Sequence, residues 1–257
     1  MLLSDASAAL LVQGYNAARN DRFYVGVDKA FVGDPYDWSG VGRLVGSETW
    51  ATMISPSYFL SAVHYHPGAG STIRFYATND PAGPYEDHVV ASGVQIGTSD
   101  VWVGKLTAPA SSAVATYPLF VPGDPVDLAG MAMEIIGRSN LSSTQTNIRM
   151  GRNVINVVSS QHLWWTYDTP GLGDDEAQTA NGDSGATSFV VWNGQPGVVG
   201  IHHYINGDSM PSYYVQQIRD AMGSEMLRII PEPATMSLLL GGAAMLLLRK
   251  RRTGAGR

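Results

Sequence analysis

The sequence predicts an all-β protein, and three observations carry that prediction. Short apolar runs recur from Phe23 onward, each bounded by Gly, Pro, Asp or Asn, which is the length and punctuation of strands. Gly and Pro are frequent, 29 and 14 in 257 residues, as a turn-rich chain requires. Helical spacing within the folded region is confined to one stretch, where Val215, Ile218, Met222 and Met226 fall on one face.

The elements follow in order. Met1 to Val12 is mildly apolar but broken by Asp5, with no Lys or Arg before it, so it does not read as a secretory signal. Either the true start lies upstream or residues 1–22 are a short amphipathic lead-in. A first set of strands is expected at Phe23 to Val27, Val41 to Val45, Trp50 to Ile54, Tyr58 to Val63, Thr72 to Tyr76 and Val101 to Leu106. Thr107 to Ala113 lacks periodicity and bulk and reads as a surface connector at a domain boundary. A second set follows at Met131 to Ile136, Ile148 to Val158, Leu163 to Tyr167, Thr187 to Trp192, Val198 to Tyr204 and Tyr213 to Val215, closed by a short helix over Val215 to Leu227. The pattern suits barrels or sandwiches, and the chain has no internal repeat.

Composition narrows the function. The chain is 44% hydrophobic and 15% charged with a net charge of -6, and its one basic cluster, Arg249 to Arg252, lies in the tail. Nucleic acid is therefore not an expected partner. With no cysteine, disulfides, thiolate metal sites and a cysteine nucleophile are excluded.

The tail differs in kind. Pro231-Glu232-Pro233 precedes Ala234 to Leu248, a stretch without charge, and then Arg249-Lys250-Arg251-Arg252. A helix of that stretch reaches roughly 22 Å against a hydrocarbon core of about 30 Å, so it spans with local thinning or snorkelling arginines. The basic flank sets the C-terminus, 253–257, on the cytoplasmic side and the folded part outside.

The chemistry concentrates at Asn181-Gly182-Asp183-Ser184-Gly185-Ala186-Thr187. Glycines on both sides let a tight turn present Ser184 while the amides of Gly182 and Ser184 converge on one carbonyl oxygen. The same residues also suit an ordinary polar hairpin. A serine nucleophile needs a base and a group to orient it. His64 ends the run Tyr58 to Val63, and Asp100 opens Val101-Trp102-Val103, giving His, Asp and Ser in chain order.

At these residues the chain resembles the trypsin-like, chymotrypsin-fold serine proteases. Ser61-Ala-Val-His64 is similar to the family's Thr-Ala-Ala-His motif, Ser99 to Leu106 to its Asp-Ile-Ala-Leu-Leu block, and Gly182-Asp-Ser-Gly185 to its nucleophile motif. Gly197-Val-Val-Gly-Ile-His202 resembles the strand lining the primary pocket, and the likeness spans about Phe23 to Leu227. The resemblance implies two six-stranded antiparallel β-barrels in a peptidase domain at 23–230, with His64, Asp100 and Ser184 in the cleft between them. It implies an oxyanion hole from the Gly182 and Ser184 amides, a bracing role for Asp183, and no cofactor or metal. Ala186 stands where the family usually has Gly, and Tyr65 where a half-cystine commonly follows the histidine. No convincing activation site is found, although Arg22 before Phe23-Tyr-Val-Gly26 resembles the new N-terminus of activated zymogens, and whether Asp183 awaits such an amine stays open.

Specificity is read from Thr179 and His202, a pairing similar to that of glutamyl endopeptidases and viral chymotrypsin-like proteases, while Gln178, where trypsin has its pocket carboxylate, argues against cleavage after Lys or Arg. A hydroxyl and an imidazole there would bind a Glu or Gln side chain, or His202 and His203 pack in the core. Separately, His64-Tyr-His66 share a strand face and, with Asp100 or His88, form an alternative metal set.

The tail resembles the PEP-CTERM sorting signal of Gram-negative bacteria over 231–252, a single hydrophobic helix. It implies export to the cell envelope or beyond, transient anchoring in the inner membrane and processing by an exosortase near Pro231-Glu232-Pro233. The expectation is an exported serine endopeptidase acting on protein or peptide substrates. Its rivals are a non-catalytic envelope binding or structural protein on the same fold and a non-peptide esterase.

Overall fold

A computed structural model describes residues 9–140, 145–168 and 173–231. Val41–Leu44, Trp50–Met53, Tyr58–Ala62, Val101–Leu106, Tyr85–Gln95 and Thr72–Tyr76 form, in that order, a closed antiparallel barrel. Closure is made by Val41–Leu44, which pairs with Trp50–Met53 on one side and, through Arg43↔Arg74 and Leu44↔Ile73, with Thr72–Tyr76 on the other.

Five of the six expected strands of this set are present, and one is exchanged. Phe23 to Val27 is not a strand; Phe23 is buried against the ring of Tyr76, 4.9 Å away, while Val25 and Val27 are exposed. The missing barrel strand is Tyr85–Gln95. Most of its side chains face solvent and only Val90 is buried, so it lacks the apolar run that marks a strand in sequence.

The second set departs further from expectation. It forms a half-barrel sheet in the order Arg149–Val154, Ala132–Gly137, Thr187–Trp192, Gln195–Tyr204, Gly207–Ser209, His162–Trp164, Val157–Ser159, with Leu119–Val121 and Ile229–Pro231 alongside in parallel. Two closed six-stranded barrels are therefore not formed. The free edge of Arg149–Val154 is taken by other partners: Asp21 bridges Arg149, and the Arg152 amide donates to the Asp175 carbonyl. These bonds cover part of an edge that would otherwise be open to strand pairing. Tyr213 to Val215 is not a strand but the end of the 3-10 turn Pro211–Tyr214, which runs into the helix Val215–Met222. That helix stops at Gly223 (φ +66), short of the expected Leu227.

The segment before Phe23 belongs to the fold. Leu11–Val12 pairs with Ala177–Gln178, Leu10 is buried, and Arg149 Nε donates to Asp21 across 2.8 Å. One hydrophobic cluster joins the two sheets through Trp38, Trp50, Leu60, Phe189 and Ile201, with the Trp38 and Phe189 rings 5.1 Å apart. Burial of each such side chain stabilises the fold by about 1.5–3 kcal/mol.

The connector Thr107 to Ala113 is loop, as expected. Among the described residues no helix is long and apolar enough to cross a membrane. Met1 to Ala8, Glu232, Pro233, the hydrophobic stretch and the basic cluster lie outside the described residues, so the tail-helix and sorting-signal expectations fall there.

Candidate active site

His64 follows the fully buried strand Tyr58–Ala62 and is itself 42% exposed at its side chain, which sets an imidazole at the rim of a rigid support. Asp100 immediately precedes Val101–Leu106, the strand paired to Tyr58–Ala62, so register alone puts the two residues side by side. Three contacts lock them. The Val63 amide donates to the Asp100 carbonyl (2.9 Å), the His64 amide to Asp100 Oδ1 (3.0 Å), and His64 Nδ1–H to Asp100 Oδ2 (2.7 Å). A carboxylate only accepts, so this bond assigns the proton to Nδ1 and leaves Nε2 as the free acceptor. The hydrogen bond to Asp100 holds the His64 pKa above its ordinary value, with partial burial opposing and Coulomb attraction assisting.

The turn bearing Ser184 comes from the other sheet, just before Thr187–Trp192. Gly182 (φ +97) and Gly185 (φ +84) occupy backbone conformations that side chains resist. Gly185 also lies against the His64 segment: a β-carbon there would stand 2.8 Å from Ser61 Oγ, 2.9 Å from the Tyr65 carbonyl oxygen and 3.2 Å from the Ala62 amide nitrogen. The turn that carries the half-buried Ser184 thus abuts the segment that carries His64, and Thr52 and Thr187 hydroxyls bond between the two sheets at 2.9 Å. Among the described residues Ser184 Oγ makes no hydrogen bond, and catalytic pairs often tighten only around substrate.

The amides of the turn divide into two groups. Those of Asp183, Gly185 and Ala186 donate to the carbonyls of Ala180, His202 and Asp183. Those of Gly182 and Ser184 donate to nothing among the described residues, which is the condition an oxyanion hole requires.

Asp183 is fully buried and takes backbone N–H bonds from Arg138 (2.7 Å) and Ala180 (2.8 Å). Burial pushes its carboxyl up to about 6, the two amides and nearby His202 and Arg138 opposing. Its oxygens are satisfied inside the loop without a chain terminus. Arg22, which precedes the zymogen-like Phe23-Tyr-Val-Gly26, is 1% exposed, its guanidinium donating to Asn79 Oδ1 (2.8 Å) and to the Val41 and Tyr76 carbonyls. The zymogen-like site is therefore a buried structural arginine.

The loop has further supports that sequence reasoning missed. Arg138 reaches Glu48 at 2.5 Å and the Asn181 carbonyl at 3.3 Å, and Trp50 Nε1 donates to the Gly182 carbonyl at 3.0 Å. They lie far from the turn in sequence, and no local pattern marks them.

The three residues assigned to a specificity pocket fare differently from the dyad. His202 is 1% exposed, with Nδ1 bonded to Asp208 (2.6 Å) and Nε2 to the Ile136 carbonyl (2.8 Å). Burial alone would lower its pKa, but Asp208, Asp183 and the Ile136 carbonyl together raise it. Thr179 is buried, its hydroxyl accepting from the Asn206 amide (2.8 Å) and facing the Tyr204 carbonyl. Neither side chain is presented to a ligand, because internal partners use their polar atoms. Gln178 is half-buried in the short pairing with Leu11–Val12.

His203 instead faces the dyad. The pairing of its strand with Gly207–Ser209 is irregular between His202 and Tyr204, and at that irregularity His202 stays buried while His203 is half-buried beside Asp100. Its Nε2 lies 3.7 Å from Asp100 Oδ2, its Nδ1 3.1 Å from Ser209 Oγ, and its ring 5.5 Å from that of His64. Burial lowers its pKa, with His64 and His162 adding to the effect and Asp100 and Asp208 opposing it. The alternative metal set is not assembled as expected. His66 stacks on Trp102 at 3.8 Å and His88 pairs with Glu86.

The chain is thus all-β, with a closed barrel and a half-barrel compatible with a chymotrypsin-like fold. No protein-family model and no curated protein matches it.

Proposed function

We propose that the protein is a trypsin-like serine endopeptidase that cleaves peptide bonds through an acyl-enzyme on Ser184. The observation that carries this reading is the His64 Nδ1–Asp100 Oδ2 hydrogen bond of 2.7 Å, which in the neutral ring leaves Nε2 as the acceptor, on a segment that the glycine-flanked serine turn abuts. Nε2 takes the Ser184 proton as Oγ attacks the carbonyl, then returns it to the leaving amine. Asp100 holds the tautomer and stabilises the imidazolium, while the unused amides of Gly182 and Ser184 receive the oxyanion. Water admitted to the same position releases the acid product by the reverse sequence.

The tail motif Pro231-Glu232-Pro233, hydrophobic stretch and basic cluster support export to a Gram-negative envelope, temporary inner-membrane retention and exosortase processing. No cofactor enters the mechanism.

Fluorophosphonate labelling of the full chain beside Ser184→Ala tests the reading. Losing a triad serine costs on the order of 10⁴ to 10⁶ in rate, so only the parent should label. Equal silence in both folded proteins would replace the peptidase with a non-catalytic binding protein.

A further inference from the structure

Asp100 Oδ2 faces two imidazoles, and only one of the contacts is a hydrogen bond. His64 Nδ1 stands 2.7 Å away with a proton between the atoms; His203 Nε2 stands 3.7 Å away. When His203 Nδ1–H donates to Ser209 Oγ at 3.1 Å, Nε2 carries a lone pair and stands 3.7 Å from a carboxylate oxygen that also only accepts. Such a pair of acceptors is reconciled by a cation placed between them. A ligating histidine typically donates its other ring N–H to a nearby oxygen, the part Ser209 plays here.

We propose that His64, Asp100 and His203 form a binding site for a zinc-class divalent transition metal, and that the metal switches off the base at His64. One ligand atom from each residue lies within 4.8 Å of the others. Tetrahedral zinc with bonds of about 2.0–2.1 Å separates its ligands by roughly 3.3 Å, between the two distances observed around Asp100 Oδ2. Zinc then requires His64 Nδ1 to stand about 0.6 Å farther from Asp100 Oδ2 and His203 Nε2 about 0.4 Å nearer, with the two imidazoles brought to the same spacing, and water completes the shell. Two imidazoles and a carboxylate select zinc, cobalt, nickel or copper over magnesium and calcium.

Metal at His64 Nδ1 takes the position of the proton donated to Asp100. The ring stays neutral by carrying that proton on Nε2, transferred through water, and Nε2 then has no lone pair for the Ser184 proton. Binding and base catalysis are mutually exclusive because they compete for the two nitrogens of one ring. The inhibitory consequence rests on the peptidase reading, whereas the binding does not.

Calorimetric titration of the metal-free full chain with Zn²⁺ and with Mg²⁺ tests the site, with fluorophosphonate labelling run in parallel. The expected result is one zinc per chain, no magnesium binding, and affinity weakened at least about tenfold by His203→Ala. Ser209→Ala, which only frees the ring of His203, should weaken zinc binding in the same direction and serves if His203→Ala fails to fold. Labelling of the parent should fall with bound zinc and return on chelation. Absence of zinc binding by the folded parent, or equal affinity in parent and both folded variants, overturns the site while leaving the peptidase reading intact. Zinc binding that depends on His203 in a chain that never labels supports the site and removes the peptidase reading. Undiminished labelling of the zinc-saturated parent overturns the switch.

Discussion

Replacing Gly185 with alanine tests the close junction between the Ser184 turn and the His64 segment. Two costs follow from the geometry. At φ +84 an L-residue is strained by about 1–2 kcal/mol. The new methyl would also meet the Tyr65 carbonyl oxygen at 2.9 Å and the Ala62 amide nitrogen at 3.2 Å, both backbone atoms that cannot rotate away, besides Ser61 Oγ at 2.8 Å. Overpacking of this kind typically costs about 1–3 kcal/mol. The combined destabilisation of about 2–5 kcal/mol lowers the melting temperature by roughly 10 °C in a domain of this size. Relief by separating the turn from His64 carries a kinetic penalty as well, since a displacement near 1 Å costs on the order of 10²-fold. Thermal unfolding followed by circular dichroism reads the first effect and fluorophosphonate labelling rate the second. An alanine variant with the parent's melting temperature and labelling rate would show that the two segments do not abut, and the site built here would not exist.

Other outcomes follow from the dyad and the buried arginine. Because its bond to Asp100 raises the His64 pKa and the reaction uses the unprotonated ring, labelling should rise with pH through a midpoint above 6.5. Asp100→Asn should move that midpoint down and cost on the order of 10⁴-fold in labelling rate; an unchanged pH profile would remove Asp100 from the mechanism. Added trypsin should leave the Arg22–Phe23 bond of the native protein uncut, since the guanidinium is enclosed by Asn79, Val41 and Tyr76. Cleavage there accompanied by a gain in labelling, followed by mass spectrometry, would restore a zymogen.

Legibility in the sequence tracked local physics. Val41–Leu44, Trp50–Met53, Tyr58–Ala62, Thr72–Tyr76 and Val101–Leu106 are apolar runs between turn residues, and each is a strand where the pattern puts it. Tyr85–Gln95 was hidden because its side chains mostly face water, its strand character being supplied by the two neighbours it pairs with. Phe23 to Val27 misled for the opposite reason: it is apolar, yet only Phe23 finds a pocket.

The site divides in the same way. His64, Asp100 and the glycine-flanked Ser184 could be named from motifs, because a strand end and a tight turn are local structures whose residues reveal them. Which of His202 and His203 faces Asp100 depends on how their strand pairs with Gly207–Ser209, a pairing whose register shifts between His202 and Tyr204, and no local pattern marks that irregularity. The same holds for Arg22, whose burial is decided by barrel residues distant in sequence, and for Arg138, Glu48 and Trp50, which hold the nucleophile loop from elsewhere in the chain. By itself the sequence determined the strand-rich class and the residues available for chemistry, since propensity and turn geometry act over a few neighbours. Tertiary structure alone decided that the second sheet stays open, that His203 faces Asp100, and that Asp183 is braced by Arg138 and Ala180 amides, because each depends on which distant backbone atoms packing brings within reach.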